Sequence, residues 1–294
     1  MEIFKGSGVA IVTPFHPNGA VHYDSLSKLI EFQLTNGTDA IIICGTTGEA
    51  STLTDDEQIE VIRFTVDAVR KRAPVIAGAG SNYTEHGIAL CKRSQAAGAD
   101  ACMLVTPYYN KTTPKGLVEH YQKHAAAVDI PIIIYNVPSR TGLNITPKTA
   151  QSLSRIDTIA GIKEASGSIV QVAEIAELCG DRLALYAGND DYILPVLSLG
   201  GKGVISVAAN VIPRQVHDLC ARFFANDLPG ALHLQLGMLE LVRGLFCEVN
   251  PIPVKAALNM MGYDAGGYRA PLTAMEPENE AKLRQAMCAY GLLN

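Results

Sequence analysis

The sequence predicts a (β/α)8 barrel, the TIM-barrel architecture, with a C-terminal helical extension. Three observations predict it. Eight short apolar, β-branched runs recur along the chain, helical patterns lie between them, and polar residues with chemical potential cluster where the runs end. The runs are GVAIVTPF (8–15), AIIICGT (40–46), PVIAGAG (74–80), ACMLVTP (101–107), PIIIYNVP (131–138), IAGIKEA (159–165), LALYAGND (183–190) and GVISVAAN (203–210). Their continuous apolarity, in place of strict alternation, suits strands covered on both faces, as in parallel sheets. A doubly wound open sheet is the alternative topology for the same alternation of elements.

The clearest intervening helix spans 54–72. Thr54 and Glu57 have capping-box spacing, and Asp55 and Asp56 suit the positive end of a helix. Ile59, Ile62, Val66 and Val69 then form an apolar stripe, and Lys71 and Arg72 suit the negative end. Thr146-Pro147 opens a second helix, and Pro213 opens another at its first position. After residue 225 the strand signal stops. Leu232, Leu236, Leu239 and Val242 have the spacing of one helical stripe. Asn250 offers a cap before the prolines of NPIPVKAALNMMG, Gly262 a stop, and 278–293 a last helix. The expected division is a barrel over 1–224, carrying the active site, and a helical domain over 225–294.

Composition narrows the function classes. The chain has 294 residues, 48% of them hydrophobic, enough for one large core. The formal charge is −5 and no basic block occurs, so nucleic acid is not an expected partner. Seven scattered cysteines contain no CxxC pair, which removes the usual zinc and redox spacings and fits a reducing compartment. Cys44 and Cys102 lie in apolar runs and read as core thiols. The N-terminal stretch lacks a basic start and a long apolar region, so no signal peptide is expected. No apolar run approaches the ~20 residues that span a bilayer. The expected location is the cytoplasm, with no membrane partner.

In a barrel the carboxyl ends of the strands converge on one face, where active sites are built. Those ends carry Thr13-Pro14, Gly45–Glu49 (GTTGE), Thr106–Asn110 (TPYYN), Tyr135–Gly142 (YNVPSRTG), Lys163-Glu164 and Gly188–Asp190 (GND). Lys163 ends an apolar strand. Apolar surroundings disfavour an ammonium, and a neutral amine attacks a ketone to form a Schiff base. Taken alone, a strand-end lysine reads first as a solvent-exposed end or as an ion pair with Glu164; its neighbours reverse that and favour the chemistry. Tyr135 ends the preceding strand, where a phenol can shuttle protons or simply pack in the core. Arg140 offers a planar fork for a carboxylate, or a surface salt bridge. GTTG can bring backbone N–H groups and hydroxyls to an anion, although it lacks the GK[ST] of a P-loop. The paired tyrosines of TPYYN suit interface packing. His120 and His124, four residues apart, read as sharing a solvated helix face, and no metal-ligand spacing such as HExxH occurs. GAGSNYTEHG misses the GxGxxG spacing of a dinucleotide site.

With GTTGE, TPYYN, YNVPSRTG and GIKEASG in this order, the chain resembles the dihydrodipicolinate synthase family. The likeness runs from TPF (13–15) through NPIPVKAAL (250–258) to APLTAM (270–275), nearly the whole chain. The wider superfamily, which includes N-acetylneuraminate lyase, shares the barrel, the lysine and the strand-5 tyrosine; the arginine of YNVPSRTG points to the synthase. The resemblance implies that Lys163 forms a Schiff base with pyruvate. Thr46 and Thr47 lie around the pyruvate carboxylate, Thr47 the closer. Tyr135, Thr46 and Tyr109 form a proton relay, with Tyr109 supplied by a neighbouring subunit. The enamine attacks L-aspartate 4-semialdehyde, whose carboxylate lies near Arg140. Gly188 and Ile205 match backbone positions lining the pocket. No metal or organic cofactor is implied, and the expected assembly is a homotetramer built as a dimer of dimers. Relatives inhibited by lysine bind it at positions matching Ala50, Ser51, Asp55, Gln58, Asn82, His86 and Tyr108. A glutamate of inhibitable relatives is replaced here by His86, so weak or absent lysine inhibition is expected. The competing readings are another pyruvate-dependent class I aldolase, such as an N-acetylneuraminate or 2-keto-3-deoxy acid lyase, and a barrel that has become a non-catalytic scaffold. Arg140 argues against the first. Intact Lys163, Tyr135, Thr46 and Tyr109 argue against the second.

Overall fold

The computed structural model describes residues 3–293. Eight parallel strands pair in chain order and close on themselves: β1 (Gly6–Ala10), β2 (Ala40–Ile43), β3 (Val75–Gly78), β4 (Ala101–Val105), β5 (Ile132–Asn136), β6 (Ile159–Glu164), β7 (Ala184–Ala187) and β8 (Gly203–Ser206). Each apolar run yields one strand, and each strand is shorter than its run. The first run is an example: Ile11, Val12 and Phe15 stay buried after pairing ends at Ala10, and Phe15 bridges instead to Val21 and Gly266. Apolarity reports burial, and here burial outlasts the ladder because loops and C-terminal helices cover the barrel mouth.

The barrel helices are α1 (Tyr23–Thr35), α2 (Asp55–Val69), α3 (Thr84–Ala96), α4 (Pro114–Ala125), α5 (Pro138–Thr141), α6 (Pro147–Leu153), α7 (Ile169–Cys179), α8 (Ile193–Ser198) and α9 (Pro213–Phe224). Behind them come α10 (Leu228–Gly237), α11 (Leu239–Leu245), α12 (Ile252–Met260) and α13 (Pro277–Tyr290). The capping box of α2 is formed: Glu57 N–H donates to Thr54 Oγ1 at 3.2 Å, and Thr54 N–H donates to Glu57 Oε2 at 2.9 Å. The helix stops at Val69 because Arg70 and Lys71 turn left-handed, while the Arg72 side chain reaches back to the Val69 carbonyl at 2.9 Å. Thr146 caps α6, and Pro213 opens α9. Among the described residues no helix is long and apolar enough to cross a membrane.

Two apolar layers hold the molecule together. One lies between sheet and helices, and the other fills the barrel. Inside, Ala10, Ile42, Ile76, Met103, Ile133 and Ile205 pack above an aromatic floor in which Phe4 stacks on Tyr186 at 4.4 Å. The Tyr186 hydroxyl donates to the Phe4 carbonyl at 2.8 Å, so the lower end of the barrel is plugged.

The C-terminal region departs from expectation in two places. The stretch 228–245 is two helices, because the chain changes course at Met238, and this splits the expected stripe. Val242 is buried, whereas Leu232 and Leu236 are 45% and 57% exposed. Asn250 does not cap α12. Its side chain turns into the barrel mouth, as described below.

The histidine pair also departs from expectation. His120 and His124 are buried on the face of α4 that meets α3, with ring centroids 4.4 Å apart. Gly87 of α3 makes the room, since a Cβ there would lie 2.5 Å from His124 Nε2. Burial, with His124 nearby, pulls the His120 imidazole down to about 4 from its ordinary 6.5. The folded state therefore binds this proton less readily than the unfolded chain. The resulting stability is complete above about pH 6.5 and is lost as pH falls toward about 4. The expected loss from His120 is about 2 kcal/mol between about pH 7 and about pH 5. Urea titrations across that range measure it, and a His120→Asn variant should have a shallower dependence.

Candidate active site

Strand register builds the centre of the site. Tyr135, Lys163 and Tyr186 are neighbours across β5, β6 and β7, and therefore share the inner face. Glu164, one residue on, points outward. Its Oε2 accepts from Asn136 Nδ2 at 2.8 Å, and its Oε1 accepts from the Ser166 N–H at 2.8 Å and Gln171 Nε2 at 3.2 Å. Glu164 is thus a strap for the β6–α7 turn, and the ion pair with Lys163 weighed from sequence does not form.

The Lys163 side chain is enclosed, the residue being only 5% exposed, and its Nζ lies 4.2 Å from the centroid of the Tyr135 ring. Burial lowers the ammonium to about 8, with Arg140 acting in the same direction and Asp190 opposing. At neutral pH roughly a tenth of the amine is then unprotonated, against about one part in three thousand for an ordinary lysine. Burial pushes the Tyr135 phenol up to about 12, against the lowering influence of Arg140 and a hydrogen bond with Thr46. The phenol keeps its proton at neutral pH and has one to give.

Thr46 and Thr47 ride on the loop after β2. That loop settles onto β3 because Gly78 has no side chain: a Cβ there would lie 2.0 Å from the Cys44 carbonyl oxygen. The loop is held from the C-terminal region. Asn250 Nδ2 donates to Thr47 Oγ1 at 2.9 Å, and the Asn250 carbonyl accepts from Arg140 Nη2 at 3.1 Å. Lys255 of α12 is fully buried and pairs with buried Glu49 at 2.7 Å; it also donates to the Thr13 carbonyl at 3.1 Å and to the Gly267 carbonyl. The Glu49 N–H in turn donates to the Thr46 carbonyl at 3.1 Å. Sequence reasoning missed Asn250 and Lys255 as parts of the site. The available signal was their place in NPIPVKAAL, a polar pair within an otherwise apolar segment.

A cavity of about 440 Å³ opens at the mouth, with Thr46, Tyr135 and Arg140 in its wall. Asp55, His86 and Tyr108 line the same cavity on its outer side. There His86 Nε2 lies 3.0 Å from both Asp55 carboxylate oxygens, and His86 Nδ1 lies 3.0 Å from Ser81 Oγ. Ile205 lies in the barrel interior. Gly188 donates its N–H to the Glu164 carbonyl at 2.8 Å, so close that a Cβ would lie 2.6 Å from that of Ala165. Tyr109 is not brought to the centre: it is 92% exposed, its backbone is left-handed, and it is absent from the cavity wall of its own chain.

A phenol, a hydroxyl and a guanidinium in one cavity wall, with a part-neutral amine packed against that phenol, suit capture of a keto acid as an imine followed by reaction with a second anion. The model of the dihydrodipicolinate synthetase family matches residues 3–290. A 4-hydroxy-tetrahydrodipicolinate synthase from Lachnoclostridium phytofermentans is 56% identical, covering 100% of each chain. Among solved structures, the chloride-inhibited dihydrodipicolinate synthase from Acinetobacter baumannii complexed with pyruvate is 43% identical, with a TM-score of 0.97 over 99% of this chain and 100% of that one. The enzyme from Cyanidioschyzon merolae with lysine bound is 41% identical, with a TM-score of 0.96 over 100% of each chain.

Proposed function

The chain belongs to the dihydrodipicolinate synthetase family, and on that premise we propose that it joins pyruvate to L-aspartate 4-semialdehyde through a Schiff base on Lys163. The product is 4-hydroxy-tetrahydrodipicolinate, on the route to diaminopimelate and lysine. One observation carries the reading: a buried amine at the end of β6, lowered to about 8, lies against a phenol that lines the mouth cavity.

The Lys163 lone pair attacks the ketone carbon of pyruvate, and water leaves to give an iminium. Thr47, fixed by Asn250, faces the pyruvate carboxylate. Loss of a C3 proton gives the enamine, which forms the new carbon–carbon bond with the aldehyde carbon. Tyr135 and Thr46 carry protons between the carbonyl oxygens and solvent. Arg140, braced against the Asn250 carbonyl, holds the second carboxylate. Attack of the substrate amine on the imine carbon closes the ring and frees Lys163. The imine nitrogen is the electron sink, so this scheme calls for no metal or organic cofactor. Tyr109 completes the relay from a neighbouring subunit in a homotetramer, a reading supported by its exposure and by its absence from its own cavity. Cytoplasmic location is the matching proposal, supported by seven unpaired cysteines.

Borohydride reduction in the presence of pyruvate, followed by peptide mapping, tests the chemistry. The expected label is on Lys163, and label on Lys255 without Lys163 overturns the scheme. A coupled assay comparing aspartate semialdehyde with sugar-derived keto acids tests the second substrate.

Lysine inhibition is expected to be weak or absent. His86 stands where a carboxylate would receive the effector's ammonium, and it also engages Asp55. Initial-rate measurements across a lysine titration check this, and a submillimolar inhibition constant would contradict it.

A further inference from the structure

A second cavity, of about 420 Å³, lies between the loop after β7 and α11. It shares no lining residue with the mouth cavity that holds Thr46, Tyr135 and Arg140. The helix contributes Leu239, Val242, Arg243 and Phe246. These stand at i, i+3, i+4 and i+7, so one helical face turns three apolar side chains and one guanidinium to the cavity. The loop contributes Asn189 and Asp191, on either side of Asp190.

The loop wall is anchored. Asp190 is 1% exposed, and its Oδ2 accepts the N–H groups of Val207 at 3.1 Å and Ala208 at 2.9 Å. Gln235 of α10 holds the same turn twice: its Nε2 donates to the Asp190 carbonyl at 2.9 Å, and its Oε1 accepts from the Leu194 N–H at 2.9 Å. Asp191 therefore projects from a fixed backbone. Asp191 and Arg243 carry opposite charges on the two walls, yet no ion pair joins them. Neither side chain, nor that of Asn189, makes a hydrogen bond among the described residues. A lone exposed charge needs only water. Here two unpaired charges of opposite sign share one concavity with an apolar side, of a volume that suits a small molecule.

We propose that this cavity binds a small α-amino acid as its zwitterion, with the carboxylate on Arg243, the ammonium on Asp191, and a short uncharged side chain against Leu239, Val242 and Phe246. The guanidinium offers a carboxylate two parallel donors, Asp191 accepts from the ammonium, and the Asn189 amide can serve either group. A simple carboxylate such as pyruvate leaves Asp191 without a counter-charge. An amino acid with a second ammonium, such as lysine, sets that charge against the apolar side. L-Aspartate 4-semialdehyde belongs to the favoured class, and only that identification rests on the function proposed above. Binding itself needs neither Lys163 nor the Schiff base.

L-2-Aminobutyrate, which has the carbon chain of the semialdehyde without its aldehyde oxygen, is the probe. Ligand-observed NMR titration of the whole enzyme should give a dissociation constant of about 10 mM or tighter. Butyrate and propylamine each lack one of the two charged groups and should bind about tenfold or more weakly, as should L-lysine. Arg243→Gln and Asp191→Asn should each weaken the probe about tenfold. Both positions are exposed, so the melting temperature and borohydride trapping of Lys163 with pyruvate should not change. No binding at about 100 mM overturns the proposal, as does equal or tighter binding of butyrate, propylamine or lysine. Binding that survives both substitutions but is lost once pyruvate has been trapped on Lys163 places the probe in the mouth cavity and also overturns it. Absence of Lys163 label in the unsubstituted enzyme overturns the Schiff-base reading instead, so the two failures are distinguishable.

Discussion

Replacing Lys163 by Met is expected to abolish condensation, by at least about a thousandfold, while making the protein more stable. The two effects share one cause. A lysine lowered to about 8 in the folded state and near 10.5 in the unfolded chain resists protonation on folding. Below about pH 8 the folded state carries that penalty in full. As pH rises from about 8 to about 10.5, the unfolded chain alone still holds the proton, so stability recovers and the penalty disappears. Removing the amine at neutral pH should add about 1–3 kcal/mol, a gain of several degrees in melting temperature. The gain should vanish in alkaline buffer. Parallel calorimetry and rate measurements check both halves. A variant retaining more than a tenth of the activity contradicts the Schiff-base role, and a variant less stable at neutral pH contradicts the account of burial.

The opposite outcome is expected at Lys255 and Glu49. Both side chains are fully buried, and each is the other's countercharge. Burial lowers Lys255, and the Glu49 carboxylate beside it opposes that. Glu49→Gln or Lys255→Met alone leaves one charge enclosed without its partner and should cost about 3–5 kcal/mol. The double variant removes both charges and should cost less than either single change. A thermal double-mutant cycle measures the difference. Because the Glu49 N–H holds the Thr46 carbonyl, the single variants should also raise KM for pyruvate. Additive losses with an unchanged KM would show that the pair acts neither as a unit nor on the loop.

The parts of this molecule that were legible in its sequence are those written locally. All eight strands appear as apolar runs, and the capping box of α2 appears as a four-residue pattern. Lys163 is legible because a charge ends a run that is otherwise buried. What was not legible depends on partners remote in the chain. Asn250 has the residue type and position of a cap, and only the fold shows Thr47 and Arg140 competing for it successfully. His120 and His124 have polar helical spacing, and only the missing side chain at Gly87 lets α3 close over them. Glu164 was legible in principle, since strand alternation turns it away from whatever faces Lys163. The break at Met238 has no evident local signal, so 228–245 read as continuous.

The contacts that brace the loop after β2 also give synthesis a timetable. Thr47 waits for Asn250, 203 positions later, and Glu49 waits for Lys255, 206 positions later. At ribosomal speeds of about 5–20 residues per second, roughly ten to forty seconds separate the two halves of the second contact. During that interval the barrel strands can emerge and begin to pair, but the carboxylate of Glu49 has no ammonium to meet and the threonines have no brace. The nascent chain is until then a barrel whose loop after β2 lacks its braces. The loop after β2 is braced only once α12 has been made and docks, long after the strands that flank it have emerged.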